Sequence, residues 1–133
     1  MKLIKVVAAL IEKEDKILIA RRSTGDENVF GKWEFPGGKV EPDEDDFSAI
    51  EREIKEEFEV NIKANYFVKN NVCEYPQKTI DLRLYHCDYI DGEFNLHDHF
   101  EYKWIDKKEL LEHDLAPADI SLAKFIKDGD CYE

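Results

Sequence analysis

Between Glu41 and Val60 the chain carries ten acidic residues and two basic ones, yet Phe47, Ile50, Ile54 and Phe58 recur there at helical spacing. That pattern predicts an amphipathic helix from about Asp46 to Phe58, with one apolar stripe entering a core. Asp43 or Asp45 supplies its N-cap, and acids in the first turn suit the helix dipole. At about 100° per residue, Glu56 lies roughly 60° to one side of Glu53 and Glu57 roughly 40° to the other. Three carboxylates therefore converge beside the stripe. Like charges at these spacings destabilise a helix, and solubility does not require them to be so close. A solvated helix face is the plain reading. A site for a hard divalent cation such as Mg²⁺ or Mn²⁺, which prefers oxygen ligands, is the sharper one.

The flanking segments read mostly as strands. Leu3–Ile11 and Ile17–Arg21 form a hairpin across a charged turn, and Trp33–Phe35 is a short extended piece stopped by Pro36. Gly37–Gly38 is expected to make a tight turn. Further strands are expected at Ala64–Glu74, Ile80–Asp88 and Glu101–Ile105, with a turn at Asp91–Gly92. Two short helices follow, about Lys107–Glu112 and Pro117–Lys127, the last burying Leu122, Phe125 and Ile126. The 133 residues show no repeat or linker, so one α/β domain over 1–133 with a mixed sheet is expected.

The formal net charge of -12 excludes nucleic-acid polymers and anionic membranes as natural partners, because binding to either needs clustered Lys and Arg. Eight of those twelve excess charges lie in the Glu41–Val60 stretch. The first apolar run, Val6–Ile11, is too short for a signal peptide or for a span of ~20 residues, and suits a first strand. Cys73, Cys87 and Cys131 form no CxxC pair, which fits a reduced, cytoplasmic protein without a disulfide framework.

Spacing gives a more specific signal. Gly38, five residues, Glu44, seven residues, then Arg52-Glu53-Ile54-Lys55-Glu56-Glu57-Phe58-Glu59-Val60 resembles the 23-residue box of the Nudix hydrolases, G-x5-E-x7-R-E-U-x-E-E-x-G-U with U apolar. Six fixed and two apolar positions match, and Glu59 stands where the family has glycine. That glycine ends the helix in the family, so a less tight turn is expected here. The resemblance implies an α/β/α sandwich around a mixed sheet, with the box as loop-helix-loop. It also implies hydrolysis of a diphosphate bond in a nucleotide by water, with Mg²⁺ or Mn²⁺ as cofactor. Trp33–Glu41 is similar to the lead-in of MutT-type nucleoside triphosphate pyrophosphohydrolases, and Leu115–Ile120 to the last helix of their CTP pyrophosphohydrolase subgroup.

Candidate residues follow from this resemblance. Glu53, Glu56, Glu57 and a free carbonyl near Gly37 would hold metal. Arg52 would orient neighbouring carboxylates such as Glu44 and Glu53, as groups behind metal ligands do. Asp98, six residues before Trp104, stands where relatives place a glutamate that binds metal or acts as base, and Glu101 competes with it. Glu53 or Asp98 would activate water. Arg22 and Lys78 would contact phosphates. Glu34 and Phe35 would face the base or sugar, although Phe35 also suits the core. Asp119 is either a helix N-cap or a group that accepts from the exocyclic amine of a base. His97 and His99 are too few for a zinc site.

The substrate class is then a small nucleotide: CTP or dCTP, an oxidised nucleotide such as 8-oxo-dGTP, or several of these. Tyr75-Pro76 offers a weaker resemblance to hydrolases of ADP-ribose or dinucleoside polyphosphates. A non-catalytic nucleotide-binding domain is the competitor of another class, against which stand the intact carboxylates of the box. A calcium site lacks the D-x-[DN]-x-[DN]-G loop. No feature marks an oligomer interface, so monomer and homodimer both remain open.

Overall fold

The computed structural model describes residues 2–25 and 27–128. Cys131 lies outside them. Strand β1 (Lys2–Lys13) carries the continuous apolar run and is the spine of the sheet. It pairs in parallel with β6 (Lys78–Asp91) from Lys2↔Lys78 to Glu12↔Asp88, and antiparallel with β2 (Lys16–Arg22). β3 (Trp33–Glu34) and β7 (His99–Ile105) join β2, and β5 (Asn61–Tyr75) closes the far edge against β6. The strand order is β3-β2-β1-β6-β5, so the sheet is mixed as expected.

Both faces are covered. A central strand buried on two sides reads as an unbroken apolar run rather than an alternation, and β1 shows how. Its Val7, Ala9 and Ile11 meet Ala49, Ile50, Ile54 and Phe58 of helix α1 (Asp46–Phe58) on one face. Its Ala8 and Leu10 share the other face with Leu110, Leu122 and Ile126. Leu110 belongs to a 3₁₀ turn at Lys107–Glu112, and Leu122 and Ile126 to helix α2 (Pro117–Asp128). This is the α/β/α sandwich that the box implied. Among the described residues no helix is long and apolar enough to cross a membrane.

Three local expectations need correction. Gly37 and Gly38 do not form a turn. They belong to β4 (Gly37–Lys39), which pairs with Val6–Ala8 of β1. Their smallness serves close approach: a Cβ at Gly37 would strike the Val7 carbonyl, and one at Gly38 would fall on the Glu53 carboxylate. Phe47 is not part of the buried stripe. It sits in the first turn of α1, 41% exposed, with its ring edge against Tyr85, and Ala49 takes its place inside. Third, Glu59 does not loosen the end of α1. It adopts the left-handed conformation (φ 62°), and its N–H still donates to the Lys55 carbonyl at 2.9 Å.

Candidate active site

Helix α1 begins where Asp45 Oδ1 accepts the Ser48 N–H at 2.7 Å, so Asp45 is the N-cap and Asp43 is not. The helix brings Glu53 against Gly38 of β4, with Glu56 and Glu57 in the turn that follows. Arg52 organises this face. Its Nε and Nη2 form a fork on Glu44 at 2.6 and 2.8 Å. Nη1 reaches Glu53 at 3.1 Å and Glu56 at 3.2 Å, and Nη2 also donates to the Lys39 carbonyl at 3.2 Å. One planar guanidinium thus fixes three carboxylates, a task for which its rigid donor geometry suits it. The hydrogen bonds from Arg52 and from the Glu41 N–H pull the Glu44 carboxyl down to about 2. The bond to Glu44 in turn holds the guanidinium above its ordinary range.

Glu57 is the exception to this pairing. Its Oε1 is buried and without a hydrogen-bond partner. Burial, followed by the charges of Glu34, Glu53 and Asp98, pushes its carboxyl up to about 9. Burial also raises Glu53, against the pull of Arg52. An orphaned carboxylate oxygen among three further acids is what a cation would resolve, and the all-oxygen donor set fits Mg²⁺ or Mn²⁺. Among the described residues no three ligating side chains are gathered around one point. Glu53 and Glu56 are turned instead toward Arg52.

A cavity of about 210 Å³ opens beside this face. Arg22, Glu34, Phe35, Gly37, Gly38 and Asp119 line it together with apolar side chains of β1 and β6. Phe35 is 3% exposed and serves core and wall at once. Asp119 is 4% exposed, and burial holds its carboxyl well above the usual range, with Glu34 adding to the shift and Arg22 opposing it. The N-cap reading of Asp119 fails, because α2 starts at Pro117 and Asp119 lies inside its first turn. Glu34 is bracketed: Oε1 accepts from Arg22 Nη1 at 3.0 Å and Oε2 lies 2.9 Å from His99 Nε2.

The predicted residues do not all meet. Asp98 is exposed but close enough to Glu57 to act on its charge. Its competitor Glu101 is held by Arg21 at 2.9 Å. Lys78 is outside the cavity wall, with its Nζ 5.8 Å from the ring centre of Tyr75, which is a wall residue. His97 and His99 take separate partners, Glu59 and Glu34. Sequence reasoning missed His99 as the buried support of Glu34, stacked on Phe58 at 5.0 Å. No local signal marked it, since the expected strand began at Glu101, the observed one begins at His99, and its partner Glu34 is 65 residues away.

A family profile described as the NUDIX domain matches residues 1–128. The chain belongs to the NUDIX family. Its sequence is 40% identical over 122 residues to the CTP pyrophosphohydrolase of Escherichia coli (strain K12), covering 92% of this chain and 90% of the relative. It is 32% identical over 105 residues to the 8-oxo-dGTP diphosphatase of Buchnera aphidicola subsp. Schizaphis graminum (strain Sg), covering 79% and 78% of the two chains. The solution structure of the E. coli ORF135 protein superimposes with a TM-score of 0.83 at 39% identity, covering 93% of this chain and 88% of that one. This NUDIX chain is therefore a hydrolase of a family that acts on small nucleotides with a divalent metal.

Proposed function

We propose that this NUDIX hydrolase converts nucleoside triphosphates or their deoxy forms to the monophosphate and pyrophosphate. Its substrates are cytidine nucleotides, oxidised nucleotides such as 8-oxo-dGTP, or both. The observation that carries the reading is the unpartnered, buried Glu57 oxygen, which interacts with Glu34 and Arg22 of the wall of a cavity that the buried Asp119 also lines. One end suits a metal-bound polyphosphate and the other a flat base. The names borne by the E. coli and Buchnera relatives support the same substrate class.

In this reading Glu53, Glu56, Glu57 and Asp98, with the Gly37 carbonyl, hold Mg²⁺ (Mn²⁺ is the alternative). The bound ion would offset phosphate charge and lower the pKa of water. Glu53 or Asp98 takes the proton as the water oxygen bonds to phosphorus and the diphosphate bond breaks, the pyrophosphate leaving with the electron pair. Arg52 and Glu44 keep the Glu53 carboxylate in place. Arg22 meets a phosphate, Lys78 approaches a phosphate from the rim, and Phe35 packs on the base or sugar. Glu34 fixes Arg22 and also accepts from the nucleoside. Asp119 reads the exocyclic amine. The unpaired thiols of Cys73 and Cys87 fit a cytoplasmic enzyme, for which nucleotide-pool sanitation is the expected role.

Purified protein with Mg²⁺ and a panel of canonical-base and oxidised triphosphates is expected to release pyrophosphate. Glu53→Gln should lower the rate about 10³-fold with little change in stability. Brisk cleavage of ADP-ribose with no turnover of any triphosphate would overturn the substrate assignment.

A further inference from the structure

Glu59 is one of three non-glycine residues with positive φ among the described residues, and it stands where the family box has glycine. An L side chain adopts this conformation reluctantly, so its retention asks for a use. The side chain reaches out of the helix end to the segment between Gly92 and Asp98. Glu59 Oε2 lies 2.6 Å from His97 Nε2, and Oε1 accepts from Asn95 Nδ2 at 3.5 Å. The Asn95 N–H donates to the carbonyl of Phe58, at the end of α1, at 2.9 Å.

The two ends of the segment are held by other means. At its start, Gly92 (φ 113°) lies so close to Val60 and Glu59 that a Cβ would sit 2.9 Å from Val60 Cα and 3.0 Å from the Glu59 carbonyl oxygen. At its end, the Asp98 carbonyl accepts from the Ser23 N–H at 3.0 Å, and the next residue, His99, is locked between Glu34 and Phe58. Phe94 is anchored by its ring against Phe58, Tyr89, Tyr102 and Trp104, and the stretch after it, Asn95 to His97, is tied to α1 through the Asn95 N–H and the Glu59 carboxylate. Asp98 follows His97 directly and its charge acts on Glu57; its backbone is held on the far side by Ser23 and His99, so the near side, His97, is where Glu59 bears on its position relative to α1.

We propose that Glu59 is a positioning residue that ties the Gly92–Asp98 segment to the end of α1 and so sets the place of Asp98. The inference rests on the reading of Asp98 as a metal or base group. The Glu59–His97 pair is about half exposed, so its effect on stability is small and its effect on geometry is the larger one.

Glu59→Gly separates the two effects, because it removes the carboxylate and relieves the left-handed strain together. It should keep or raise the thermal midpoint. In the metal-free protein it should speed amide hydrogen exchange across 92–98, Asn95 above all, by about fivefold or more. With Mg²⁺ and a triphosphate it should lower kcat about tenfold while KM stays within about twofold. His97→Ala should reproduce these losses, and the double variant should be no worse than either single one. Glu59→Gln, which can still bond His97, should restore slow exchange and at least about half of kcat. Wild-type exchange and kcat in Glu59→Gly would overturn the inference while leaving the proposed function standing. A wild type that hydrolyses no triphosphate would overturn the function, and the exchange rates would still decide whether Glu59 holds the segment.

Discussion

The two ends of α1 are equally acidic in sequence and opposite in chemistry. At the first turn, Asp46 is answered on every side: Lys5 at 3.3 Å, Arg83 at 2.9 Å and the Tyr85 hydroxyl at 2.6 Å converge on its two oxygens. Burial would raise this carboxyl, yet the hydrogen bonds from Tyr85, Arg83 and Lys5 bring it below its ordinary value. Near the last turn, Arg52 serves Glu44, Glu53 and Glu56, and the buried Oε1 of Glu57 has no partner. Burial and neighbouring acids drive Glu57 the other way, up to about 9. Acidity by itself thus marks nothing. Asp46 pins the helix to the sheet, whereas the excess of carboxylates over cations around Glu57 is what the proposed metal role draws on.

Exchanging each acid for its amide gives the widest separation between the two ends. Glu57→Gln should lower turnover about 10³-fold and leave the thermal midpoint unchanged or higher, since folding no longer requires this side chain to take up a proton. Asp46→Asn should keep turnover within about twofold and cost about 1–3 kcal/mol of stability, because Arg83 and Tyr85 lose a charged partner. Activity assays beside thermal melts check both. Equal activity losses would erase the distinction.

A smaller effect sharpens it through pH. The folded Glu57 carboxyl retains its proton up to about 9, whereas the unfolded one releases it near 4.5. The folded state therefore binds more protons in that window, and the stability of the metal-free protein should fall as pH rises through it. Glu57→Gln should flatten part of this slope in melts at successive pH values. Asp119 and Glu53, also raised by burial, keep their share of it. An unchanged slope in the variant would assign it elsewhere.

Legibility followed the range of the interactions. The bounds of α1, its acidic cap and the carboxylates beside its stripe were readable because helical contacts lie three or four residues apart. The central strand was readable from its unbroken apolar run. The Gly37–Gly38 segment was misread because glycine serves tight turns and close approach alike, and only the Val7 carbonyl and the Glu53 carboxylate decide between them. Phe47 kept the spacing of the stripe, but the first turn of α1 places its ring against Tyr85 at the rim. The bracket of Glu34 by Arg22 and His99 joins three separate strands, and no spacing rule reaches across them.

Calorimetric titration of Mn²⁺ into the substrate-free protein tests the central claim most directly. Wild type and Asp46→Asn should bind with the same affinity, and Glu57→Gln should bind at least about tenfold more weakly. Equal binding by all three proteins would contradict the account, because the unpartnered carboxylate on α1 would then not be where the ion is held.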